Sequence, residues 1–146
     1  RRLPIGPAMT AQDLHDALAI LGPPLAAEVL AELAAGGLRA MPQPDVGVTY
    51  AAKVEPADCR LDWRRPAVEL ARAVRALGPR PGAWFEHNGE RIKVVRAEMA
   101  DAVKANGMNV GGAPPGTVLD DHLGVACVEG VLRLTRVQRP GRAAAA

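Results

Sequence analysis

No serine occurs anywhere in the 146 residues. That absence removes Ser-His-Asp hydrolysis, the nucleophile elbow and any serine-bearing phosphate loop. No glycine-rich phosphate motif follows a predicted strand either. Aromatic residues are almost as scarce, with two tryptophans, one tyrosine and one phenylalanine. A core with so few rings must be built from Leu and Val and is expected to be thin. The apolar fraction of 49% overstates the supply, because 28 alanines leave only 43 other apolar residues among 146. No apolar run approaches about 18 residues, so no spanning helix is read from the sequence. No signal peptide is visible, and the start at Arg1-Arg2 without Met suggests a cut chain. Two cysteines, Cys59 and Cys127, suit buried thiols in a reducing cytosol better than a disulfide scaffold.

The charge that is present is unevenly placed. Residues 1–59 carry 4 Lys/Arg and 7 Asp/Glu, a net −3, whereas residues 60–146 carry 14 and 9, a net +5. The basic half is the candidate for an anionic partner; the competing reading is an Arg-rich solvated surface.

Along the chain, Thr10 is a plausible N-cap with Asp13 at the third helical position. Leu14, Leu18 and Leu21 recur at helical spacing, and Gly22-Pro23-Pro24 predicts a stop and a fresh start. The second helix shows Leu25, Val29, Leu30 and Leu33 on one stripe and ends at Gly36-Gly37. This pair holds too little apolar surface to stand alone and should pack on something further. Residues 38–63 read as an extended linker docked through Val48, Tyr50 and Val54. Pro66 opens a third helix whose buried stripe is Ala67, Leu70, Ala71, Val74 and Leu77, with Gly78-Pro79 ending it.

Beyond Pro81 the period changes to two. Trp84–His87 and the return strand with Ile92 and Val94 flank Asn88-Gly89, a strong hairpin signal. Glu98–Pro115 reads as a long exposed loop, and Thr117–Leu119, Val125–Val128 and Val131–Val137 as short strands. The expectation is an α+β chain: an N-terminal helical pair, an extended linker, then a small oligonucleotide-binding-type β-barrel with one helix. Ala143–Ala146 is set aside as a low-complexity tail.

Chemistry-bearing groups are sparse. His15, His87 and His122 share no ligand spacing, and Asp120-Asp121-His122 before Leu123-Gly124 reads as a turn rather than a metal site. Cys59 beside Arg60 has no identifiable base and reads as packing. Asp62-Trp63 reads as a structural pair, the ring buried where linker meets domain and the carboxylate accepting N–H bonds near the helix start. Lys53 is either a phosphate contact or an ordinary exposed lysine. The basic residues gain weight as a set. Arg65, Arg72 and Arg75 lie on one helix face, Arg80 follows that helix, Arg91 and Lys93 share a strand face, and Arg133, Arg136, Arg139 and Arg142 lie on the last strand and tail. Converging, they would form a groove for a polyanion, since the guanidinium fork suits phosphate. With few aromatics, such a ligand would be held by backbone and shape rather than by base stacking.

Tyr50-Ala51-x-Lys53, Arg60-Leu61-Asp62-Trp63 and Arg75-Ala76-x-x-Pro79-x-Pro81-Gly82-x-Trp84 together resemble the linker and C-terminal domain of the methionyl-tRNA formyltransferase family. Leu14-His15-Asp16-x-Leu18-x-x-Leu21-Gly22 resembles the last helices of that family's N-terminal domain, and Gln138-x-Pro140-Gly141-Arg142 its final basic turn. Leu77-Gly78 departs from the family's more frequent Phe-Asn, and Arg80 from a common aromatic. The resemblance implies residues 1–37 as the end of a formyltransferase domain, 38–63 as interdomain linker and 64–142 as C-terminal barrel. It implies a cytoplasmic enzyme that moves a formyl group from 10-formyltetrahydrofolate to methionine on initiator tRNA. The catalytic residues and folate pocket would lie upstream of Arg1, so this chain would hold no catalytic, cofactor-binding or metal residue and would be inactive alone. The implied tRNA-binding candidates are Lys53, Arg65, Arg72, Arg75, Arg80, Arg91, Lys93, Arg133, Arg136 and Arg142, with Tyr50, Asp62, Trp63 and Trp84 as structural anchors. Sugar-nucleotide formyltransferases share similar words, and a non-catalytic barrel that pairs with another chain is a further alternative.

Overall fold

The computed structural model describes residues 1–100 and 112–145, and its core forms around the helix after Pro66. Helix α1 spans Ala11–Ala34 and helix α2 spans Ala67–Leu77, with Pro66 as the N-cap of α2. Proline suits the start of a helix because its missing N–H and fixed φ cost a first turn little. Ala67, Leu70, Ala71 and Val74 recur at helical spacing and are all buried, while Arg72 is left to solvent.

Four strands follow: β1 (Ala83–His87), β2 (Glu90–Met99), β3 (Gly124–Ala126) and β4 (Val131–Gln138). They form one antiparallel sheet in the order β1-β2-β4-β3, and α2 lies against β2 and β4. Asn88 and Gly89 join β1 to β2 at φ 49° and 78°, the pair of left-handed positions that a two-residue hairpin turn needs. The buried side of the sheet supplies Val94, Ala97, Val125, Leu132 and Leu134, which meet the α2 stripe, Leu61, Ala83 and Cys127. Alanines on both layers bring helix and sheet close, and fully buried Leu70 and Leu132 each contribute about 1.5–3 kcal/mol.

The β2–β4 ladder is irregular at one place. Val94 pairs with Val137, Arg96 with Arg136, and Ala97 with Leu134. Val95 is therefore an extra residue on β2 and Thr135 an extra one on β4. The two irregularities cancel, and the pairing resumes its original register. Inward positions run 92, 94, 97 on β2 and 132, 134, 137 on β4, so each strand changes phase at the kink.

Several expectations change. The helical pair is one continuous helix, α1, with Pro23 and Pro24 inside it. No residue of α1 is buried, so water can satisfy the carbonyls that two prolines leave without an N–H partner. Thr10 and Asp13 do form the expected cap, a reciprocal capping box. α1 also revises the reading of apolar runs, because its length and composition suit a membrane span. The first part of the linker is not docked: residues 38–55 are all exposed and Tyr50 is 94% exposed, so Tyr50 anchors nothing, whereas residues 56–63 meet the fold through the Trp84–Pro56 bond and buried Cys59 and Leu61. One tyrosine and scattered valines offer too little contiguous apolar surface to hold that segment down. β2 continues to Met99, past the predicted loop start at Glu98, and residues 101–111 of that loop lie outside the described residues. Thr117–Leu119 is a single bridge, Val118 to Val125, rather than a strand. Among the described residues the β structure is an open four-stranded sheet, so the chain is a small α+β unit and no closed barrel is seen. The alanine run set aside as a tail joins this sheet, where Ala145 and Val137 exchange two backbone hydrogen bonds of 2.8 and 2.9 Å.

Candidate functional site

The basic residues separate into three groups. In the first, the C-terminal end of α2, the kink of β2–β4 and the approach to α1 enclose a groove of about 540 Å³. Arg75 reaches it from α2, and Arg96 and Arg136 reach it as ladder partners at the kink. Two guanidiniums directly opposite on one sheet repel each other unless something anionic lies between or beside them. Thr10, Asp13 and Glu98 also line the groove. The Thr10 hydroxyl and backbone N–H hold the Asp13 carboxyl below its ordinary range, and Arg96 adds a smaller push in the same direction. Arg75 is steadied by an Nη1–H donated to the Ala71 carbonyl at 3.3 Å.

A second group surrounds Trp84. Arg91 lies with its guanidinium 4.2 Å from the centre of the indole ring and Arg60 at 5.7 Å. Trp84 anchors the start of the sheet in two ways: its Nε1–H donates to the Pro56 carbonyl at 3.3 Å, and its own carbonyl accepts from Leu61 N at 2.8 Å. Trp63, partly buried rather than fully so, packs edge-on to Phe85 with centroids 5.5 Å apart. Asp62 accepts from the Arg64 backbone N–H at 3.1 Å and from the Arg64 side chain. Those bonds lower its pKa to about 2. The expected backbone N–H bond just before α2 thus comes from Arg64, whose side chain also pairs with the carboxylate.

In the third group, cations are already engaged within the fold. Arg65 pairs with Glu69 at 2.9 Å, and Lys93 Nζ donates to the Pro79 carbonyl at 2.7 Å. Arg133 bonds Asp120 at 2.9 Å with both side chains largely covered, and Arg139 bonds Glu90 at 2.8 Å. Asp120-Asp121-His122 is the predicted turn: Asp120 Oδ1 accepts from His122 N and Gly124 N, and Leu123 takes φ 55°. Lys53, Arg72, Arg80 and Arg142 are exposed and lie outside the groove lining.

The structure therefore brings together Arg75 and Arg136 of the predicted set and adds Arg96, which the sequence reading did not single out. The signal for Arg96 was the apolar doublet Val94-Val95, which breaks strict alternation and marks a bulge. Among the described residues no three His, Cys, Asp or Glu side chains are placed to share a metal ion. Cys59 and Cys127 are buried thiols, and burial pushes Cys127 up. The three arginines of the groove give it a cationic wall suited to an anion.

A family model described as formyl transferase, C-terminal domain, matches residues 53–146. Methionyl-tRNA formyltransferase of Afipia carboxidovorans is 48% identical over 145 residues, and that of Rhodopseudomonas palustris 43% identical over 145 residues. Each alignment covers 97% of this chain but 44% of the relative's length. Among solved structures, a variant of HypX from Aquifex aeolicus superposes with a TM-score of 0.70 at 20% identity, covering 99% of this chain and 25% of that one. At that identity the likeness concerns the fold.

Proposed function

The chain belongs to the formyl transferase C-terminal domain family, and from that premise we propose that it is the RNA-holding portion of a methionyl-tRNA formyltransferase. The whole enzyme moves the formyl group of 10-formyltetrahydrofolate to the methionyl amino group of initiator tRNA. In this reading the present chain contributes grip rather than chemistry, and is inactive alone. The sheet with α2 is the open part of a small oligonucleotide-binding-type barrel. α1 belongs to the catalytic part of the enzyme and lays its exposed leucines on it; the relatives' alignment runs through α1, which favours this over a membrane span. In this reading the formyl donor binds in the catalytic part of the enzyme.

The observation that carries this reading is the meeting of Arg75, Arg96 and Arg136, from three elements, at one groove. Their planar forks match phosphate oxygens two at a time. Binding through phosphates releases counterions, so the logarithm of affinity should fall with the logarithm of salt by roughly 0.7–0.9 per phosphate contacted. Replacing all three arginines by glutamine should reduce that slope by roughly 2–3 in a fluorescence titration with initiator tRNA. Binding that ignores salt, or a slope unchanged in the triple variant, would overturn the assignment.

A further inference from the structure

Trp84 and Arg91 meet because of register. Trp84 pairs with Lys93 and Glu86 with Arg91 across the β1–β2 ladder, so all four side chains leave the same face and Arg91 is diagonal to Trp84. The indole is held by its bond to Pro56, and the Arg91 guanidinium sits 4.2 Å above the ring centre. The neighbouring carboxylates are committed elsewhere: Glu86 faces Arg60 at 3.9 Å and Glu90 bonds Arg139 at 2.8 Å. Arg91 is exposed. It is thus a planar cation laid on a fixed aromatic plate, with its outer face open to solvent.

Such a plate offers stacking without an exposed aromatic ring, because bases stack on guanidinium planes as well as on Tyr or Trp. A second groove of about 550 Å³ adjoins it at Arg60 and Glu86, lined also by Asp62, Trp63, Arg64 and Phe85. We propose that Arg91, braced by Trp84, is a stacking platform for one unpaired nucleobase of the bound RNA. Arg91 and Arg96 both lie on β2, separated by roughly 16 Å at about 3.3 Å per residue. The kink then holds backbone phosphates while the β1 end of the sheet takes a single-stranded nucleotide next to them. This role presupposes the RNA-holding function proposed above.

The test uses the full chain and two RNA probes: a blunt hairpin and the same hairpin carrying a four-nucleotide single-stranded extension. The unaltered chain should bind the extended probe roughly tenfold more tightly than the blunt one. Arg91→Lys keeps the charge and loses the plane. It should bring the ratio of extended-probe to blunt-probe affinity to about one. Equal binding of both probes by the unaltered chain, or a preference that survives Arg91→Lys, would overturn the stacking role while leaving the groove assignment standing. Failure of both probes to bind in a salt-dependent way would overturn the two together.

Discussion

Asp120 uses both carboxylate oxygens close to home, on the backbone N–H groups of His122 and Gly124 and on Arg133. The Gly124 N–H is the largest cause of its lowered pKa, followed by Arg133 and then His122. A carboxyl held low in the folded chain stabilises it above its unfolded pKa, about 3.9. That contribution is lost as pH falls from about 4 through the lowered folded value. Asp120→Ala should cost about 1–3 kcal/mol in a urea melt at neutral pH, because it strands two turn N–H groups and a largely covered guanidinium. The difference between the variant and the unaltered chain should narrow below about pH 4, where the native carboxyl is itself being neutralised. The exposed Asp62–Arg64 pair is more strongly shifted yet holds less of the fold, because water screens it.

At the scale of elements, α2 and the β1–β2 hairpin could be read from sequence, and so could the cap and the helical character of α1, but not its continuity through Pro23-Pro24. The α2 stripe and the Asn88-Gly89 turn are local patterns that tertiary contacts only reinforce. Pro23-Pro24 is a local stop signal, and it fails where no residue of the helix is buried and its carbonyls can turn to water. The β2–β4 kink shows in the sequence only as the Val94-Val95 doublet, because it depends on which residue of β4 each residue of β2 faces, and that pairing joins strands far apart in the chain. Arg96 escaped with it, so the candidate site was legible at Arg75 and Arg136 but not at the residue between them. The dependence on α2 is measurable. Leu70 is 1% exposed at the centre of the helix–sheet contact, and Leu70→Ala should lower stability by about 2–5 kcal/mol in chemical denaturation.

Across the whole molecule, apolar surface is distributed unequally. The sheet and α2 hold nearly all the buried side chains, while on α1 Ile20 is 77%, Leu30 64% and Leu33 59% exposed. Leu33→Ala in this chain alone should therefore change stability by less than about 0.5 kcal/mol, a strong contrast with Leu70→Ala in the same assay. The charge division read from the sequence has a spatial counterpart, since the acidic first turn of α1 faces the arginines of the sheet across the groove. The anchors read at Trp63 and Trp84 hold the chain's entry to the sheet, whereas Tyr50 lies beyond the reach of any core. Which cations would be absorbed by internal carboxylates, as Arg133 and Arg139 are, follows only from folded geometry.

The doubled irregularity at Val95 and Thr135 makes β2 and β4 a mated set, like two zipper halves that each skip a tooth at the same place. Trimming Val95 alone would leave Thr135 with no compensating offset. Everything on one side of the break would slip by a step and turn its leucines outward. Length changes in either strand are therefore tolerable only as matched edits in both, which marks this pair as a unit to be transplanted whole when the sheet is recombined with another.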